Sequence, residues 1–263
     1  MANYPEFQKL IDTMKNAGYD EFEIDYKTKL LGNLKKREAG GTFTLQEHIR
    51  AMVYSMLSAQ QDWSLIASKQ KEIDKLFQNF DPMYVKNEKA DVFIEGIKNL
   101  RCGNQQIKSQ MKALSYNIDM LETIDKLPGG LDNYYNSKMV DAQSRLELLT
   151  ELGRGKYKLQ MMDIPLVAEY LKSVGVNLVK PDRHLCRILC RLGYVNFDPD
   201  SNDTTAKQIA VLQKCREIAI DYNVYDPYVD AVLWHYCAKN GFNECRKNQE
   251  CKRCLVTNCK YRK

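Results

Sequence analysis

Two groups of residues in this 263-residue chain have types and spacing suited to chemistry. The first is Cys245, Cys251, Cys254 and Cys259, a C-x5-C-x2-C-x4-C run close to the C-terminus. Four thiolates that near in sequence suit one tetrahedral sulfur cage, either a structural zinc ion or an iron–sulfur cluster. The number of thiolates does not separate the two. The spacing leans towards a cluster, because zinc sites usually pair two C-x2-C knuckles and only Cys251 and Cys254 form one. The second group surrounds Asp182, in Lys180-Pro181-Asp182-Arg183-His184-Leu185-Cys186-Arg187-Ile188-Leu189-Cys190-Arg191-Leu192-Gly193. Leu185, Ile188, Leu189 and Leu192 form a helical apolar stripe, Arg183, Arg187 and Arg191 recur on another face, and Gly193 is a natural stop. Asp182 therefore opens a helix, beside the positive end of its dipole. Taken locally, it reads as an N-cap.

The elements that must hold these groups are helical. Thr44-Leu45-Gln46-Glu47 reads as a capping box, followed by Leu45, Ile49, Met52, Val53, Met56 and Leu57 on one face. Asp62 can cap a helix carrying Ile66, Ile73 and Phe77, and Asp81-Pro82 starts another. Further helices are expected near 88–98, 104–120, 138–151, 164–174, 182–192, 204–222 and 226–238. The charged segment 20–40, ending in Gly40-Gly41, reads as a link. No stretch alternates as strands do, and 13 Gly with 7 Pro are too few for an all-β chain. Gly153-Arg154-Gly155-Lys156 lacks the phosphate-loop pattern and a preceding strand, so it reads as a helix-ending turn. Trp63, Trp234 and Tyr236 are most simply core aromatics.

Composition narrows the function classes. With 44% apolar and 28% charged residues the chain is not mainly disordered, and no apolar run could span a bilayer. Its start, Met1-Ala2-Asn3-Tyr4-Pro5-Glu6, is not a secretory signal. A reducing compartment is therefore expected, cytoplasmic and nucleoid-associated or nuclear, where disulfides are improbable. Cys102, Cys186, Cys190, Cys215 and Cys237 then read as buried thiols. The net charge of +5 lies entirely within residues 178–263. Such a field attracts polyanions, although a solvated basic tail has the same signature.

Three ordered motifs carry a resemblance. Leu57-Ser58-Ala59-Gln60-Gln61-Asp62 is similar to an LSAQ-x-x-D motif. Pro181-Asp182-Arg183-His184-Leu185-Cys186-Arg187 is similar to V-D-T-H-V-x-R, and the cysteine run to C-x6-C-x2-C-x5-C, one residue shorter in two gaps. In this order, over roughly residues 40–263, they resemble the endonuclease III branch of the helix-hairpin-helix DNA glycosylase superfamily. The resemblance implies an all-α, two-lobed fold. A six-helix bundle with a degenerate hairpin would span 43–177, and residues 1–42 with 178–263 would form the cluster-binding lobe. It implies a monomeric DNA N-glycosylase acting on double-stranded DNA with a damaged or mismatched base. Asp182 would be catalytic. A four-iron, four-sulfur cluster would sit on Cys245, Cys251, Cys254 and Cys259, with zinc as the alternative. Gln60 would fill the gap in the duplex, and Lys156, Lys158, Arg183, Lys247, Lys252 and Arg253 would hold phosphates.

The chain departs from the family at the hairpin. The family hairpin reads roughly L-P-G-V-G-R-K-T-A, and the matching stretch here is Met161-Met162-Asp163-Ile164-Pro165-Leu166-Val167-Ala168, where Met162 and Ile164 replace both glycines and Leu166 replaces the Schiff-base lysine. Lyase activity is therefore not expected, with Lys180 a minor substitute. Two alternatives stand beside the enzyme: a DNA-binding protein that has lost catalysis, and a zinc-binding interaction module.

Overall fold

The computed structural model describes residues 3–59, 61, 63–202, 204–248, 251–259, 261 and 262. The described residues form helices and no strand, so the all-α expectation holds. They group into two compact units. One contains Met1–Glu38, Met139–Leu146 and Asn177–Lys263, and the other contains Ala39–Lys138 and Glu147–Val176. Residues 139–146, expected in the bundle, group with the terminal segments. Buried Arg145 there pairs with buried Asp226 at 2.9 Å.

Three helices open the first unit: α1 (Pro5–Asn16), α2 (Glu21–Lys29) and α3 (Leu31–Glu38). Pro5 sits in the first turn of α1, where its missing N–H leaves no hydrogen bond unmade. The expected link over 20–40 is thus helical. Phe22, Tyr26 and Leu34 are buried, and Glu23–Lys27 and Asp25–Lys29 pair one turn apart.

The second unit carries α4 (Leu45–Leu57), α5 (Trp63–Ser68), α6 (Gln70–Leu76), α7 (Pro82–Asn87), α8 (Ala90–Asn99), α9 (Ile107–Lys112), α10 (Leu114–Asp125) and α11 (Gly130–Ser137). The end of α12 (Ala142–Gly153) and α13 (Ile164–Ser173) complete it. Its helices are shorter and more numerous than the six expected, with the segment near 104–120 broken between α9 and α10. Both halves of the Thr44–Glu47 capping box form. Beyond that cap α4 is buried almost all round, as a central helix must be, and packs on α13, α10 and α7. Ser55 Oγ donates to the Leu166 carbonyl at 2.6 Å, fixing α4 to α13.

The chain then returns to the first unit with α14 (Arg183–Arg191), α15 (Thr205–Asp221) and α16 (Asp226–Cys237). The central helix of this unit is α16, which packs against α1, α2, α14 and α15. Its Val229, Val232 and Leu233 are fully buried, each contributing about 1.5–3 kcal/mol. Gly193, at φ +75°, ends α14 as the sequence suggests.

Candidate active site and cysteine loop

Asp182 caps α14. Its backbone is extended (φ −93°, ψ 177°), and its Oδ1 accepts from the His184 amide at 2.8 Å and the Leu185 amide at 3.2 Å. The N-cap reading is therefore correct. Among the described residues no donor reaches Oδ2, so half of the carboxylate is left for another partner. The side chain is partly exposed, as a group that meets a ligand must be.

The neighbours of Asp182 fix its setting. His184 is largely buried against Trp234, with ring centroids 6.3 Å apart, and among the described residues its Nδ1 has no hydrogen-bond partner. Burial lowers the His184 pKa, outweighing the pull of Asp182, so the imidazole is neutral at physiological pH. Pro181 is buried and Lys180 half-buried, while Arg183 is exposed. The Lys180 amide donates to Asp230 Oδ2 at 3.0 Å, and the Asp226 amide donates to Asn177 Oδ1 at 2.9 Å. Sequence reasoning missed Asp226 and Asp230, because each meets a segment about fifty residues away.

The hairpin of the second unit joins α12 to α13. Gly153 ends α12 as expected, and a Cβ there would stand 3.2 Å from the Ile164 amide nitrogen. Close approach of the two helices is thus provided by a glycine on the first arm, whereas Met162 and Ile164 are buried on the second. Asp163 caps α13, its Oδ1 accepting from the Ile164 amide at 2.8 Å. The Arg154 guanidinium grips the same carboxylate in a bidentate pair at 2.7 and 2.9 Å and lowers its pKa. A carboxylate of the protein itself therefore occupies the helix N-terminus. Lys156 and Lys158 are exposed beside it, with Lys156 Nζ 4.8 Å from the centre of the Tyr157 ring.

The cysteine loop follows α16 directly. The Glu244 and Cys245 amides donate to the Tyr236 carbonyl at 3.0 and 3.2 Å, folding the chain back on the helix end. Cys245, Cys251, Cys254 and Cys259 all line one small pocket, partly open to solvent. Ile188, Arg191, Tyr236 and Val256 complete its wall. The Cys237 thiol hydrogen-bonds Cys245 and, with Arg191 at 3.5 Å from the sulfur, lowers the Cys245 pKa to about 6. Burial raises the pKa of Cys254 and Cys259. Among the described residues no three His, Cys, Asp or Glu side chains are placed to hold a metal ion.

Arg191 secures the loop. It is buried, and its Nη1 donates to the Arg246 carbonyl at 2.7 Å and its Nη2 to the Lys247 carbonyl at 3.1 Å. Among the expected phosphate-holding residues, Lys247 and Lys252 are exposed. Arg253 is committed to the loop instead. It pairs with buried Glu244 at 3.0 Å and lies 3.8 Å from the centre of the Phe242 ring. Gln60 and Asp62 lie outside the described residues.

No protein-family model matches the chain, and no curated protein matches it. Solved structures do. The Methanocaldococcus jannaschii 8-oxoguanine glycosylase/lyase, in complex with a 15mer DNA containing 8-oxoguanine, superposes with TM-score 0.56 at 16% identity, over 87% of this chain and 95% of that one. The Thermotoga maritima 8-oxoguanine DNA glycosylase superposes with TM-score 0.57 at 17% identity, over 92% and 98%. These structural relatives are 8-oxoguanine glycosylases, not the endonuclease III branch that the motifs resemble. All-helical, with a hairpin between α12 and α13 and Asp182 capping α14, this chain has the fold of the helix-hairpin-helix DNA glycosylases.

Proposed function

We propose that the chain is a DNA base-excision glycosylase that hydrolyses the N-glycosidic bond of a damaged or mismatched base in double-stranded DNA, as a monomer and without lyase activity. One observation carries this reading. At the position where the motif resemblance puts the catalytic carboxylate, Asp182 anchors one oxygen on helix amides and leaves the other without a protein donor. A carboxylate held in that way can face the cation-like sugar carbon or orient a water towards it. The target base must first leave the stack, with its backbone gripped by cations. Exposed Lys156, Lys158, Arg183, Lys247 and Lys252 are candidates for that grip, which makes binding steeply salt-dependent. Leu166 in place of a lysine argues for glycosylase chemistry alone, since no amine stands there to attack the sugar.

Cys245, Cys251, Cys254 and Cys259 would hold a four-iron, four-sulfur cluster, with zinc as the alternative. Once bound, it supplies metal–thiolate cross-links that fix the loop. A brown protein absorbing in the visible supports the cluster, whereas a colourless protein with stoichiometric zinc replaces it. A cytoplasmic, nucleoid-associated or nuclear location goes with this reading.

The test is base release from duplexes carrying one lesion each, headed by 8-oxoguanine because the structural relatives are named for it. Wild type and Asp182→Asn run in parallel, with and without alkali. Asparagine caps about as well as aspartate, so the variant stays folded while the rate falls by about 10²–10⁴. An unchanged rate in Asp182→Asn refutes the assignment. Strand cutting without alkali reveals a lyase amine, and Lys180 is then the residue to replace. A second reading, a DNA binder without catalysis, draws on Asp163, whose negative charge stands at the hairpin helix end where an anion would otherwise dock. It predicts salt-sensitive binding with no base released.

A further inference from the structure

We propose that Asp230 is a positioning residue for Asp182: its carboxylate holds the Lys180 amide and thereby fixes where Asp182 presents its free oxygen. This inference rests on the glycosylase reading of Asp182.

The segment from Asn177 to Asp182 belongs to no helix, so its backbone groups need partners from elsewhere. The first turns of α16 hold it at two points, one through the Asn177 side chain and one through the Lys180 backbone amide. Asn177 is tied to the Asp226 amide at 2.9 Å, and the Lys180 amide donates to Asp230 at 3.0 Å. Asp226 and Asp230 are four residues apart, one helical turn, so a single rigid edge grips the segment twice. The second grip is the one that reaches the site. The Lys180 carbonyl accepts from the Asp182 amide at 2.7 Å, so the residue that Asp230 holds is bonded in turn to the Asp182 backbone.

Between them stands buried Pro181, whose ring locks φ. The link from Lys180 to Asp182 therefore has little slack, and a shift at Lys180 is passed on. Asp230 can act as a fixed point because it is itself 3% exposed and flanked on α16 by fully buried Val229 and by Leu233. A misplacement of about 1 Å at a reacting group can cost about 10²-fold in rate. Asp230 touches neither DNA nor the reacting atoms in this scheme, so it acts on rate and not on affinity.

The experiment compares wild type, Asp230→Asn and Asp230→Ala. It reads single-turnover base release from the panel of single-lesion duplexes described above, with rates compared on the lesion that wild type cleaves fastest, affinity for a tetrahydrofuran-containing duplex, and hydrogen exchange of the peptide covering residues 178–184. Alanine removes the acceptor. Its rate is expected to fall about 10–100-fold with affinity unchanged, while the Lys180 amide loses protection. Asparagine keeps an acceptor oxygen and is expected to restore the rate to within about threefold of wild type. Should the alanine variant not fold, Asp230→Glu, which moves the acceptor by a methylene, carries the same expectation of a lowered rate. An unchanged rate in the alanine variant overturns the proposal. So does a parallel loss of rate and affinity, or undiminished protection of Lys180. A wild-type protein that releases no base from any lesion, with Lys180 protection still dependent on Asp230, overturns the glycosylase reading and with it this role, but not the contact.

Discussion

Replacing Arg191 with methionine should open the cysteine loop at a place that can be read directly. The guanidinium donates to the carbonyls of Arg246 and Lys247 at 2.7 and 3.1 Å. Those two carbonyls belong to the peptide bonds that trypsin would cut. Methionine keeps an apolar stem in the space now filled by the arginine methylenes, so α14 stays packed while both hydrogen bonds are lost. Bonds from a charged donor are worth about 1.5–3 kcal/mol each. The freed carbonyls lie near the surface and can find water, so the lower end applies, giving about 3 kcal/mol for the pair. At 1.36 kcal/mol per factor of ten, local opening becomes about 100-fold more favourable. Where opening and closing are fast relative to cleavage, tryptic cutting after Arg246 and Lys247 rises by the same factor. Mass spectrometry of the timed digest measures it, with cutting after exposed Lys71 in α6 as the internal control. A change of less than threefold at Arg246 and Lys247 would refute the view that Arg191 holds the loop closed.

Three further outcomes follow from contacts already described. Gly153→Ala should destabilise the second unit by about 1–3 kcal/mol in urea, because its Cβ would press on the Ile164 amide and the Asp163 backbone. Asp163 has its pKa lowered by Arg154, so its cap contributes stability above the ordinary carboxylate pKa of about 4 and loses it as pH falls through the depressed value. Both side chains are more than half exposed, which limits this term to about 1 kcal/mol, and Asp163→Asn should remove it from an acid titration followed by circular dichroism. Arg145→Met should cost about 3 kcal/mol in thermal or urea unfolding, since buried Asp226 is left with Arg216 alone. Burial already raises the Asp226 pKa, so the variant's deficit should shrink as pH is lowered through that raised value.

What could be read in advance is what depends on local spacing. The Thr44 capping box, the Asp81–Pro82 start, the Asp182 cap and the Gly193 stop all act within one or two turns, and each forms where its residues stand. The four-cysteine run was likewise visible as a run, and its members do share one cavity. The helices of 20–40 were not visible, because α2 mixes charged and apolar residues without a stripe. Tyr26 finds its partner in Tyr228, ring centres 5.2 Å apart and two hundred residues away. A separation of about fifty residues from Lys180 likewise hid Asp230. Arg191 looked like one of three equivalent arginines on α14. Only the return of the loop after α16 separates it from exposed Arg183. Cys237 looked like any buried thiol until the turn at Phe242 brought Cys245 against it.

The divided duty of the Asp182 carboxylate has an evolutionary consequence. One oxygen caps the helix and, on the glycosylase reading proposed above, the other is free for chemistry, so asparagine would silence the second while keeping the first. In the genetic code that exchange is a single-base change. On that reading, a stable, inert descendant that still binds its lesion is one mutational step away from an active ancestor. Such a descendant would compete with repair at the damaged base and shield it, so the cell would feel the mutation as a gain of obstruction as well as a loss of activity. The same variant would be a practical trap for isolating the natural lesion from genomic DNA.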